Sequence, residues 1–184
     1  MKNSTVLWVC IFFFVSTICS SQHTDRMSVA SHHESEHPHF RIALLLGHTL
    51  IPEEHAHENF FIPSWGLDVE YWFTPKVGLG IHNDLEIETF VVLSDNGEGD
   101  HLERVSPLVM TLDVLFKVYD GLVFQFGPGL EIEKGENFKL FRVGVEYEYE
   151  INQHWDICPT VFYDSRFGGG YHTWSIAFGI ARRF

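Results

Sequence analysis

From Phe40 onward, apolar and polar positions alternate in short runs separated by turn signals. Residues 81–88, IHNDLEIE, show the pattern compactly. Ile81, Leu85 and Ile87 fall on one side of an extended chain, with Asn83 interrupting the row, and His82, Asp84, Glu86 and Glu88 fall on the other. Strand side chains alternate faces with period 2, so each run carries one apolar and one ionisable wall. Turn residues divide the runs into eight expected strands, at 40–50, 62–74, 77–92, 108–119, 122–133, 138–151, 155–164 and 171–184. Thr74-Pro75-Lys76, Asp120-Gly121 and Asn152-Gln153-His154 mark tight turns, whereas 93–107 and the SRFGGG stretch read as longer loops. No interval has room for a crossover helix, so neighbours should pair antiparallel. The connections after strands two, four and six are tight, and those after one, three and seven are longer. An up-and-down barrel would therefore carry short turns at one end and longer loops at the other.

Two barrels fit eight such strands. A lipocalin-type barrel holds its apolar wall inside, and an outer-membrane barrel turns that wall toward lipid. Glycine decides between them. Gly47, Gly66, Gly78, Gly80, Gly127, Gly129, Gly144 and Gly179 share the ionisable wall, with Ala43, Ala177 and Ala181. On a solvated outer face they would weaken the strands for no packing gain, but inside a narrow barrel small residues make room for long charged ones. Trp65, Tyr71, Phe73, Phe124, Phe126, Tyr147, Tyr149, Trp155, Tyr163, Trp174 and Phe178 lie on the apolar wall, many near strand ends. Lipid-facing aromatic girdles have that pattern. The expected fold is all-β: an eight-stranded antiparallel up-and-down transmembrane β-barrel with its charged wall inside.

The first residues change the picture of the mature chain. Lys2, the apolar run from Val6 to Ile18 and the small-residue exit Cys19-Ser20-Ser21 read as a signal peptide over 1–21. Cleavage before Cys19 as a lipoprotein would place bulky Ile18 where a small residue is needed, and the apolar run falls short of the ~20 residues of a spanning helix. Residues 22–39 are polar and His-rich, with no apolar period, and read as a disordered leader; the barrel domain takes 40–184. Loss of the signal removes Cys10 and Cys19, leaving Cys158 without an internal disulfide partner. A formal net charge of −13 argues against nucleic acid as a partner.

The last strand, WSIAFGIARRF, alternates apolar residues up to a terminal Phe184. With the barrel pattern over 40–184, it resembles the small eight-stranded outer-membrane barrels of Gram-negative bacteria, the OmpA/OmpX-like superfamily. Among these it most resembles the single-domain outer membrane beta-barrel proteins of Bacteroidetes. The resemblance implies a monomer in the outer membrane, with the leader and C-terminus on the periplasmic side. It implies contact with outer-membrane lipid and lipopolysaccharide, and recognition by the barrel-insertion machinery through the strand ending at Phe184. Activities within that superfamily diverge, so fold speaks weakly for function.

The inner wall is expected to be acidic. Asp68, Glu70, Asp84, Glu86, Glu88, Asp113, Glu131, Glu133, Glu146, Glu148, Glu150, Asp156 and Asp164 outnumber Arg41, Lys117, Arg142, Arg166 and Arg183, with His82 able to join the bases. Asp68, Glu70, His82, Asp84, Glu86, Arg142, Glu146 and Glu148 form the candidate lumen charge cluster, and Glu70, Asp84, Glu86 and Glu148 are the expected partners of Arg142. Such an interior reads first as a hydrogen-bonded plug, and its surplus carboxylates as a region that attracts cations. His55, His57, His101 and His172 belong to the long-loop end, near Glu53, Glu54, Glu58 and Asp100, and imidazole with carboxylate suits a divalent metal. They lack the spacing of a defined zinc site, as does the leader tract SHHESEHPH. No other cofactor is indicated. An enzymatic site finds no support in the spacing: His172 and Ser175 fall on opposite faces, nothing orients His101 toward Ser106, and no nucleophile elbow, phosphate loop or CxxC occurs. The sequence therefore points to a non-enzymatic membrane barrel serving membrane integrity or surface interaction. The alternative is a divalent-cation-binding or small cation-conducting barrel.

Overall fold

The computed structural model describes residues 39–51, 60–93, 101–168 and 171–184. Every regular element among them is a strand: β1 (His39–Ile51), β2 (Phe60–Trp72), β3 (Val77–Glu86), β4 (Thr89–Leu93), β5 (His101–Val105), β6 (Leu108–Tyr119), β7 (Leu122–Ile132), β8 (Phe138–Tyr147), β9 (Tyr149–Glu150), β10 (Trp155–Arg166) and β11 (His172–Arg183). Nine of them form one antiparallel sheet: β1, β2, β3, β6, β7, β8, β10 and β11 follow one another around the barrel, and the short β9 also pairs with β10. The β11–β1 pairing, from Arg41 opposite Arg183 to Leu50 opposite Trp174, closes it into a barrel.

The side-chain alternation settles which wall is inside. Along β11 from Thr173 onward each inward residue is buried and each outward one exposed, with Trp174, Ile176, Phe178 and Ile180 all outside and Phe178 62% exposed. On β3, Ile81 and Leu85 point out while His82, Asp84 and Glu86 point in. A barrel whose outward positions are mostly large apolar side chains, with its charges buried, is built for lipid rather than water. The shorter strands, β3 and β8, have 10 residues each. At ~3.3 Å per residue and a tilt of ~40° they span roughly 25 Å, the height of an apolar membrane belt.

The tight turns are written in local chemistry. The Thr74 hydroxyl accepts from the backbone N–H groups of Lys76 and Val77, and the Asn152 side-chain oxygen accepts from those of His154 and Trp155. Gly121 closes the β6–β7 turn at φ 76°, a left-handed conformation glycine adopts without a Cβ penalty. These turns and Phe184 lie at one end, where the Arg183 N–H donates to the His154 carbonyl and the Phe184 N–H to that of Phe40.

The expected third strand and the loop after it need correction. The run 77–92 is two strands: the chain breaks step at Ile87 and Glu88, which are both exposed, and Glu88 does not join the inner wall. Up to the break both ladders continue, the Glu86 N–H donating to the Pro107 carbonyl and the Ile87 N–H to the Pro63 carbonyl on β2. Beyond the break, β4 pairs with β5 from Thr89 opposite Val105 to Leu93 opposite His101, so much of the expected 93–107 loop is a hairpin. Its return to the barrel passes through Ser106, at φ 47°, whose hydroxyl donates to the Ile87 carbonyl. The expected sixth strand is interrupted at Glu148, and the last residues of strands two and six lie outside the ladder.

Candidate functional site: the packed lumen

The inner wall holds ten buried carboxylates among the described residues: Asp68, Glu70, Asp84, Glu86, Asp113, Glu131, Glu146, Glu148, Asp156 and Asp164. They face five buried arginines, the half-buried Lys117 and His82. A buried charge is tolerated when it is paired and hydrogen-bonded, and most of these groups belong to one of four clusters stacked along the axis.

Nearest the short turns, the Lys117 ammonium meets Glu148 at 2.5 Å and lies over the Trp72 ring, 4.9 Å from its centre. Arg183 bridges Glu150 at 2.6 Å and Asp156 at 3.1 Å. Below them the Arg41 guanidinium reaches three carboxylates from three strands, Glu70 at 2.5 Å, Glu146 at 2.8 Å and Asp156 at 2.9 Å. Arg41 and Arg183 stand opposite each other in the β1–β11 ladder, where like charges repel. Asp156 lies between them, accepting hydrogen bonds from Arg41 and forming an ion pair with Arg183, so one carboxylate offsets part of the repulsion across this closing seam.

Further along, Arg142 donates through two nitrogens to Asp164, at 2.7 Å each, and to Asp84 at 2.5 Å, with its carbon 3.9 Å from the centre of the Phe162 ring. The pair His82 Nδ1 and Asp113 stands at 3.0 Å, and the Thr111 hydroxyl donates to the same Asp113 oxygen at 2.7 Å. At the long-loop end Glu131, fully buried, accepts from Arg104, Arg166 and the Tyr171 hydroxyl. Arg104 also reaches Glu133 at 3.2 Å and the Glu136 carbonyl at 2.8 Å. Outside the membrane span, the backbone N–H of Gly135 donates to the Glu133 carboxylate at 2.8 Å and holds its pKa below the usual range.

Apolar layers pack among the charges toward both ends. Trp72, Leu115 and Val123 pack together toward the short turns, with the Trp72 indole N–H donating to Glu70 at 2.8 Å. Toward the loops, Phe90 and Val92 of the hairpin pack with Ile51, Ile62 and Tyr171, and the rings of Phe90 and Phe138 meet Tyr171 edge-on. Between these layers glycine gives the charged groups room: a Cβ on Gly80 would collide with the His82 imidazole.

All eight residues of the candidate lumen cluster are buried inside the barrel, but not as one group around Arg142. Of the four expected partners only Asp84 pairs with it. Glu70 is taken by Arg41, Glu148 by Lys117 and Arg183, and Glu86 stands 3.9 Å from Arg166. Strand stagger separates residues that look adjacent on a flat drawing. The sequence reading placed Arg104 in a loop and assigned Tyr171 no role, yet both hold Glu131. The available signal was two short apolar-alternating runs, TFVVL and HLERV, on either side of the turn-rich SDNGEGD.

Of the candidate metal ligands, His55 and His57 lie outside the described residues. His101 begins β5, and His172 begins β11 with its ring stacked on Tyr163 at 5.9 Å. Among the described residues no group of three or more His, Cys, Asp or Glu is placed to hold a metal ion. Ser175, on the opposite face from His172, shares a hydrogen bond with Thr49 at 3.0 Å.

A closed eight-stranded barrel with an apolar exterior and an ion-paired interior defines the class: a transmembrane β-barrel. No protein-family model matches the sequence, and no curated protein matches it. Solved structures share the fold. The attachment invasion locus protein Ail of Yersinia pestis, crystallised with the heparin analogue sucrose octasulfate, superposes with a TM-score of 0.56 at 11% identity, over 80% of this chain and 99% of Ail. Neisserial surface protein A gives 0.52 at 9% identity, over 79% and 97%. The N-terminal barrel domain of Pseudomonas aeruginosa OprF gives 0.50 at 13%, over 78% and 97%. At such identities the likeness is one of architecture.

Proposed function

We propose that the protein is a non-enzymatic, non-conducting outer-membrane barrel that presents its long-loop end at the cell surface for structural or adhesive contact. The observation that carries this reading is the plug: four ion-pair clusters in series, with apolar side chains packed among them toward both ends, inside a wall built for lipid. Eight strands enclose a bore that side chains can fill. The single-domain Bacteroidetes-type membership belongs to the same proposal and rests on the alternation in WSIAFGIARRF. So does the orientation, with leader and C-terminus in the periplasm: the short turns and Phe184 share one end, and barrels of this class keep short turns there.

The chemistry of the surface partner follows from charge. Segments 52–59, 94–100 and 133–137 contribute Glu53, Glu54, Glu58, Asp95, Glu98, Asp100, Glu133 and Glu136 against Lys134 alone. Such loops favour cationic or cation-bridged partners and disfavour soluble polyanions approaching from above the membrane. This separates the chain from the sulfated ligand that Ail carries in its crystal. The test is planar-bilayer recording of the refolded mature chain. Silence at both polarities, in a preparation whose gel migration shifts on heating, is expected. Steady ohmic conductance would reject the plug.

A second reading, cation binding, is favoured by the carboxylate surplus and by two buried oxygens, Glu86 Oε2 and Asp113 Oδ1, that accept no hydrogen bond from protein groups. The exterior histidines His55, His57, His101 and His172 would serve as a separate site. Calorimetry with calcium and with zinc addresses both. Heat of binding lost in E86Q/D113N assigns calcium to the lumen, and zinc binding no tighter than that of a His-rich peptide removes the loop site.

A further inference from the structure

The outer wall is not smooth. Between β6, β7 and β8, near the long-loop end, lies an open groove of about 600 Å³, lined by Met110, Leu112, Pro128, Leu130, Lys139 and Phe167 among others. Its origin is in the sequence. Pro128 has no N–H to give the ladder, and the β6–β7 pairing skips Leu112 and Asp113 while keeping one register from Thr111–Gly129 to Val114–Phe126. Gly127 lets the two backbones approach there, since a Cβ would collide with the Leu112 carbonyl. The Phe167 N–H donates to the Lys139 carbonyl at 2.8 Å, which fixes this aromatic residue beside the groove.

The lining is almost entirely hydrocarbon, with one cation at its upper edge. Lys139 is the second residue of β8, points outward, and forms no ion pair with any described residue. An unpaired ammonium beside a lipid-facing aliphatic groove, close to the level where strands leave the membrane, matches an acylated phosphate. The chain lies along the wall and the phosphate meets the amine.

We propose that this groove seats one acyl chain of a phosphorylated glycolipid of the lipid A type, with Lys139 on its phosphate. The inference rests on the membrane reading above and on its orientation, which puts the long-loop end in the leaflet where that lipid resides. Bilayer phospholipid would lie on the rest of the barrel without a fixed partner.

The test is native mass spectrometry of the refolded mature chain released from detergent, titrated with lipid A or with phosphatidylglycerol. One lipid A should be retained per barrel, at least tenfold more tightly than phosphatidylglycerol. K139E should lower that retention at least tenfold, and L130W, which fills the groove, should lower it similarly. K76E, at the exposed turn of the opposite end, should change nothing. Each sample is also run on a gel with and without heating. If the wild type shows no heat-dependent shift, the membrane-barrel reading fails. If all variants shift alike yet K139E and L130W retain lipid A as well as wild type does, the groove assignment is overturned and the barrel stands. Equal retention of phosphatidylglycerol overturns the glycolipid assignment.

Discussion

Replacing Arg41 by methionine keeps most of the aliphatic stem and deletes the guanidinium. That group pairs with Glu70, Glu146 and Asp156 at 2.5–2.9 Å in a fully buried part of the lumen. The loss comes from the three carboxylates left behind, because breaking a buried pair by removing one partner costs about 3–5 kcal/mol. Arg183 still reaches Asp156 at 3.1 Å and compensates one of them in part. About 4 kcal/mol is therefore expected for R41M on the same basis. The internal control is E150Q: its partner Arg183 is near, at 2.6 Å, but the Glu150 side chain is 62% exposed, so ~0–1 kcal/mol is expected. Reversible urea unfolding from phospholipid vesicles, followed by tryptophan fluorescence, supplies both values. The triple variant R41M/E70Q/D156N should recover at least half of the loss, since it removes most of the stranded charge. If R41M falls within ~1 kcal/mol of wild type, or matches E150Q, the Arg41 cluster is not the buried structural tie described here.

Four further outcomes are expected. G121A should destabilise the barrel by roughly 1–2 kcal/mol in the same unfolding assay, because the residue sits at φ 76° and a Cβ there would press on the Glu148 carbonyl at 2.7 Å. Glu133 has a depressed pKa when folded, so its contribution is present above the unfolded carboxylate value and is lost as pH falls through the folded one. E133Q should therefore lower stability at neutral pH and converge with the wild type as pH falls below ~4.3, which flattens the acid limb. F90A should raise amide exchange across Thr89–Leu93 and His101–Val105 more than in the barrel strands, because Phe90 ties the hairpin to Tyr171. Phe184 is exposed on the lipid side beside Arg182, so F184A should slow insertion in cells while the refolded barrel keeps its stability within ~1 kcal/mol.

The barrel was legible because its information is repeated. Alternation recurs in every strand, and wall assignment rests on many glycines and aromatics at once, so an error at one residue does not change the result. The turns at Thr74, Gly121 and Asn152 were legible for the same local reason, since each has a side chain or φ that closes a turn, although the strands beside Thr74 and Asn152 stop short of their expected ends. The hairpin β4–β5 was less so, since acidic and glycine residues between two short runs read as a loop until Phe90, Val92 and Arg104 are known to be covered. Pairing inside the lumen was not legible. Whether Arg142 meets Asp164 or Glu148 depends on stagger around a closed cylinder, a relation between distant strands that period-2 reading does not contain. Asp164 was recognised as inward-facing, but its bidentate contact with Arg142 comes from the β8–β10 register.

Everything depends on which wall meets lipid, and tryptophan reports it directly. Single-tryptophan mature chains retaining Trp65, Trp174 or Trp72 would be refolded into vesicles of brominated lipid. Trp65 and Trp174 point outward and Trp72 is buried in the lumen. Strong quenching of Trp65 and Trp174 with little effect on Trp72 is expected. Quenching of Trp72 while the other two stay bright would mean that the barrel is turned the other way.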